Sequence, residues 1–163
     1  MSKVQVFYDY ACPFCREGLK LFEELVKTRT DLEIEWIPTE AHPRPENVHP
    51  HSDRCSEAWY VAKELGVDPW AFHDAMYKGY FDDRRNVEFV DEVAACVKGL
   101  ADPVKFKEIL ESGAYAAKPG ENNDLAYEKS GVWVLPAFRM DGKKLDATGG
   151  VGVSSAQIRA FLG

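Results

Sequence analysis

Cys12-Pro13-Phe14-Cys15 is the segment of this sequence best equipped for chemistry. It follows Val4, Val6, Phe7 and Tyr8, an almost continuous apolar and aromatic run that reads as a strand buried on both faces. An amphipathic stretch comes next, with Leu19, Phe22 and Val26 on one side. Strand, CxxC and helix in that order put Cys12 at a helix N-terminus. Unpaired backbone N–H groups and the positive end of the helix dipole favour an anion there, and a thiolate is such an anion. Cysteine pKa values fall from about 8.5 to between ~3.5 and ~7.5 in such settings. Pro13 suits the first helical turn, because the N–H it lacks would have had no partner. Cys15 shares a helical face with Cys12 and lies within disulfide reach. The chemistry expected is dithiol–disulfide exchange. Cys12, more exposed, attacks to form a mixed disulfide, and Cys15, more buried, resolves it. The competing use is half of a zinc site, for which a second CxxC or a His pair at ligand spacing is missing nearby.

The elements that must position this pair can be followed along the chain. Leu32-Glu33-Ile34-Glu35-Trp36 alternates and reads as a second strand, completing a right-handed βαβ unit. Pro38 to Ser52 is a break rich in Pro and His, after which helical patterns run to about residue 118. Asp68-Pro69 and Asp102-Pro103 each place a capping residue before a proline at the first helical position. Gly66, Gly79, Gly99 and Gly113 mark helix ends, which predicts roughly four helices. A short helix over Asn123 to Ser130 stops at Gly131. Pro136 to Met140 and Lys143 to Ala147 form a hairpin on Asp141-Gly142, and Ser154-x-x-Gln157 opens a last helix with Ile158, Phe161 and Leu162 inward. The class is α/β: one domain from residues 1–39 plus 120–163, with an all-helical domain, 40–119, inserted.

Composition narrows the functions. A chain of 163 residues with net charge -7 and no basic tract lacks the stripe that nucleic acid or an anionic membrane would need. Its first residues hold no apolar signal region, and no run approaches the roughly 18 apolar residues of a membrane span, so a cytoplasmic protein is expected. Four cysteines there do not make a disulfide framework. Cys55 and Cys96 fit helix faces as small buried hydrophobes, with a second, regulatory pair as the alternative. His42, His49 and His51, followed by Cys55, are the most metal-like group. Without a recognised ligand spacing they read as a mobile loop flanking the active-site groove, and no metal or cofactor is expected. Asp9 takes up protons during exchange, opposes the helix dipole and raises the thiol pKa, or simply caps a turn at the strand end. Trp59, Trp70, Phe72, Met76 and Phe89 follow helical stripes and read as packing.

Three segments carry a resemblance across nearly the whole chain: Val6 to Cys15, Trp36 to Pro43, and Gly131 to Phe138. Together they resemble the DsbA-like branch of the thioredoxin superfamily, and more closely its cytosolic FrnE-like members. The resemblance implies a thioredoxin-like fold with an inserted helical domain and a disulfide oxidoreductase or isomerase activity. It also implies a cis Pro136, with Leu135 offering its backbone to a substrate polypeptide, and Pro13 and Phe14 contributing to the same surface. Protein thiols and disulfides, or glutathione as a redox partner, are the implied partners of a monomer. Where strongly oxidising members carry Pro-His between the cysteines, this chain has Pro13-Phe14, so a less oxidising pair is expected, between about -270 and -120 mV. The rivals are a glutathione-dependent isomerase or kappa-class-like transferase on the same fold, and a chaperone module that holds clients without redox chemistry.

Overall fold

The computed structural model describes residues 1–163. The chain divides into two compact units, Met1–Ala41 with Asn122–Gly163, and His42–Glu121. None of its helices is long and apolar enough to cross a membrane.

The first unit is built on a four-stranded sheet in the order β2-β1-β3-β4. β1 (Ser2–Tyr8) runs parallel to β2 (Leu32–Pro38), with α1 (Pro13–Val26) as the crossover between them. β3 (Ala137–Met140) lies antiparallel to β1 on its other side, and β4 (Lys143–Asp146) returns antiparallel to β3. β1 is therefore central, which is why Val4, Val6, Phe7 and Tyr8 are all fully buried. The hairpin turn has positive φ at both Asp141 (50°) and Gly142 (79°), the left-handed pair that a two-residue turn demands.

α1 buries Cys15, Gly18, Leu19, Phe22 and Val26. Phe22 sits 5.2 Å from Phe138 of β3 and 6.2 Å from Trp36 of β2. Phe138 in turn meets Phe161 of α7 (Ser155–Leu162) at 6.2 Å, so α1 and α7 cover the same sheet face. Each such aromatic contributes roughly 1.5–3 kcal/mol by leaving water. α7 opens with the expected capping box, in which Ser154 and Gln157 satisfy each other's backbone N–H groups.

The second unit is helical: α2 (Asp53–Glu64), α3 (Pro69–Tyr77), α4 (Val90–Cys96) and α5 (Pro103–Glu111). Asp68 and Asp102 cap α3 and α5 through their carboxylates, with proline at the first turn of each. One predicted helix end is corrected. Gly79 lies inside a π-helical turn, Lys78–Asp82, that continues α3. The reason is a close approach, since a Cβ on Gly79 would overlap the Cys96 sulfur. Gly66, Gly99 and Gly113 do adopt the left-handed backbone of helix ends, at φ of 72°, 92° and 77°. The helix expected at Asn123 begins earlier, as α6 (Lys118–Asn123), and continues as a π-helical turn over Asp124–Lys129. Phe89, expected in the packing, is 62% exposed and sits at the N-cap of α4, outside the helical stripe.

His73 on α3 is 2% exposed, with its ring 5.4 Å from Trp59 and 6.2 Å from Trp70. Burial lowers its pKa from 6.5 to about 3. In this range the unfolded chain takes up a proton that the folded chain refuses. Stability should fall by up to about 1.4 kcal/mol per pH unit as pH drops below about 6.5, until the folded ring itself is protonated. Urea unfolding at about pH 7 and about pH 4.5 checks this, and His73→Phe should flatten that part of the profile.

Candidate active site

The CxxC sits where β1 hands over to α1. Tyr8 ends the strand, Asp9 to Ala11 turn the chain, and Cys12 is the N-cap of α1 with extended backbone (φ -107°, ψ 120°). Pro13 follows at the start of the helix. The Cys12 N–H donates to the Asp9 carbonyl at 3.2 Å, and the Arg16 N–H closes the first helical turn onto the Cys12 carbonyl. Cys12 is partly exposed and Cys15 fully buried, and both are free thiols.

The two sulfurs are displaced in opposite directions. The Cys15 thiol, followed by the backbone N–H groups of Cys15 and Phe14, donates toward the Cys12 sulfur and lowers its pKa, against burial and the Asp9 charge. Burial drives Cys15 well above the ordinary thiol range. Its hydrogen bond to Cys12 and the neighbouring Cys12 charge add to that rise, while the Asp9 N–H, 3.4 Å from the Cys15 sulfur, works against it. In the dithiol the proton therefore stays on Cys15, and the charge develops on Cys12.

Asp9 is 5% exposed and accounts for its own burial. Its carboxylate accepts from the Ala11 N–H at 2.9 Å and the Ala41 N–H at 2.8 Å, tying the active-site turn to the exit of β2. The carboxylate thus caps the turn, and its charge also raises both thiols, two of the roles expected for it.

The third predicted segment comes to the same place. The Leu135–Pro136 peptide is cis. A Cβ built on Gly18 of α1 would lie 2.8 Å from Pro136 Cγ and 3.3 Å from Val153, so the proline ring packs directly on the CxxC helix. Pro136 accepts from the Ala147 N–H at 3.0 Å. Asp146 braces the preceding loop, accepting from the Trp133 N–H at 2.8 Å and from Arg139 at 2.6 Å. Leu135 is 7% exposed, and neither its N–H nor its carbonyl is used by another residue of the chain. Phe14 is 38% exposed and packs beside Gly152.

Gly18 was not singled out from sequence, although a glycine in the middle of a helix costs roughly 0.5–1 kcal/mol and so signals a close approach. Cys55 is fully buried on α2. Cys96 gives its S–H to the Glu92 carbonyl, and burial pushes its pKa to about 11, leaving an inert thiol at neutral pH. His42 stands with Glu46 at 3.6 Å, whereas His49 and His51 gather with Glu88, a residue that no spacing in the sequence pointed to.

A CxxC at the strand-to-helix junction, with a proline loop packed against it on this sheet, defines a thioredoxin-like site. The model of the DSBA-like thioredoxin domain matches residues 3–157, and the chain belongs to that family. It is 25% identical to YwbO of Bacillus subtilis (strain 168), over 83% of this chain and 84% of that one. Its fold is similar to the probable DsbA oxidoreductase SCO1869 from Streptomyces coelicolor, with a TM-score of 0.80 and 18% identity over 99% of this chain and 88% of that chain. DsbA from Pseudomonas aeruginosa superposes with a TM-score of 0.74 and 17% identity, over 99% and 80% of the two chains. The fold is thus that of DsbA-like thiol–disulfide oxidoreductases.

Two outcomes are expected. Iodoacetamide should modify Cys12 with a rate profile whose midpoint lies below an ordinary thiol's pKa of about 8.5, while Cys15 in the native dithiol stays unmodified. Mass spectrometry of timed samples across pH checks both. Gly18→Ala gains at most about 1 kcal/mol of helix propensity but overpacks the Pro136 ring at a cost of about 1–3 kcal/mol, so a net loss of stability is expected in denaturant unfolding.

Proposed function

We propose that this chain catalyses dithiol–disulfide exchange on polypeptide substrates, with Cys12 as nucleophile and Cys15 as resolving thiol. The observation that carries this reading is the opposite bias of the two sulfurs: one partly exposed and acidified, the other buried and held protonated. A thiolate at Cys12 attacks one sulfur of a substrate disulfide. The new Cys12–substrate bond forms as the substrate S–S bond breaks, and the leaving thiolate takes a proton. Cys15 then loses its proton and attacks the Cys12 sulfur, releasing the second substrate thiol and leaving the chain oxidised. Run backwards, the same steps oxidise a substrate dithiol at the expense of the Cys12–Cys15 disulfide.

Pro13, Phe14, Leu135 and Pro136 are the substrate-facing residues in this reading. The unused N–H and carbonyl of Leu135 suit main-chain pairing with an extended peptide, and the exposed Phe14 ring offers it an apolar contact. Glutathione serves as the small-thiol partner that resets the pair. Phe14 stands where a histidine would help to hold the thiolate, which argues for a midpoint between about -270 and -120 mV.

The test is a redox titration against glutathione, followed by thiol alkylation. A single two-electron transition is expected in the parent and none in Cys12→Ser, while Cys15→Ser should accumulate a mixed disulfide on Cys12. Thiols that stay reduced throughout, or client binding that survives the double Cys→Ser substitution, would overturn the proposal in favour of a holding module.

A further inference from the structure

The helical unit carries a second group of donor side chains that the exchange reaction does not use. One ligand atom each from His49, His51 and Glu88 lie within 4.8 Å of one another. The rings of His49 and His51 stand edge to face, with centroids 4.6 Å apart. His51 is 4% exposed, and its Nδ1 is buried with no hydrogen-bond partner. A buried ring nitrogen without a partner costs about 1–3 kcal/mol, so its place here calls for a ligand.

The surroundings point the same way. Glu88 Oε1 and Oε2 lie 2.9 and 3.1 Å from His49 Nδ1, and Oε1 also accepts from the His51 N–H at 3.2 Å. His49 Nε2 lies 2.9 Å from Asn47 Oδ1, an oxygen that only accepts. Nε2 therefore donates to the Asn47 oxygen, and Nδ1 faces the carboxylate. That is the outer-shell arrangement by which metal-binding histidines are oriented. A proton or a metal ion on Nδ1 satisfies the carboxylate oxygen that faces it. Arg85 lines a cavity together with His49 and Glu88, and its charge is answered by Glu92 at 3.1 Å.

We propose that His49, His51 and Glu88 form a binding site for a divalent transition-metal ion of the zinc type, with solvent in the fourth position. Two imidazoles and one carboxylate suit zinc or cobalt and do not suit calcium or magnesium. Ligands of one tetrahedral ion stand about 3.4 Å apart, given metal–donor distances of about 2.0–2.2 Å. The outermost donors, within 4.8 Å, must therefore close by up to about 1.4 Å, a movement open to the His49 side chain, which is 54% exposed.

The site is tested in the untagged Cys12→Ser/Cys15→Ser protein, which removes the reactive thiols as competing ligands. Cobalt(II) is titrated while the visible d–d bands and the near-ultraviolet region are recorded, and zinc is then used to displace it. One cobalt per chain is expected, without sulfur-to-metal charge transfer. His49→Ala and Glu88→Gln should each weaken binding at least about tenfold, with unchanged helical circular dichroism. Absence of binding, charge-transfer bands from a cysteine ligand, or affinity that both substitutions leave intact would each overturn the site.

Discussion

A negative charge on sulfur is weakly hydrated and needs donors close at hand, and the structure supplies them from one short stretch of backbone. The Phe14 and Cys15 N–H groups and the Cys15 thiol converge on Cys12 because Cys12 caps a helix that Pro13 starts immediately behind it. Much of the remaining architecture follows from keeping that junction rigid. β1 lies between β2 and β3, so the strand that delivers Cys12 is held on both sides. Phe22 anchors the same helix about two turns beyond Cys15, against both Trp36 and Phe138.

Asp9 shows how the balance between the sulfurs is kept. Its charge raises the pKa of both thiols, so it cannot be what acidifies Cys12. Two backbone donors hold the carboxylate, and its own N–H meets the Cys15 sulfur. Each pKa unit of separation between the thiols corresponds to about 1.4 kcal/mol, so a few short hydrogen bonds are enough to decide which sulfur carries the charge. Geometry sets the difference between the two groups more than the acidity of either.

The features legible in the sequence are those set by neighbours along the chain. The Asp-Pro helix starts, the Asp141-Gly142 turn and the Ser154–Gln157 box each depend on fewer than about five consecutive residues, and the CxxC signal on one continuous stretch of strand and helix. What escaped depends on residues far apart. Gly79 resembles a helix stop until Cys96 is seen against it, and Gly18 resembles a weak helical position until Pro136 is seen above it. Glu88 lies 37 positions from His51, a separation that no spacing rule reports. The Asp9 side chain likewise finds Ala41, 32 positions away, only after β1 and β2 have paired.

The two outer strands have a consequence for how the sheet meets other chains. β4 begins with the exposed Lys143 and Lys144, and β2 carries the exposed Glu33 and the half-buried Glu35 before closing on Pro38. An extended chain laid along either flank would have to desolvate charge, and a proline offers the ladder no donor. These borders are poor templates for the edge-to-edge growth that leads to aggregation. Main-chain pairing is discouraged along the flanks of the sheet and left open at Leu135, beside the Pro136 ring that packs on the helix of Cys12 and Cys15.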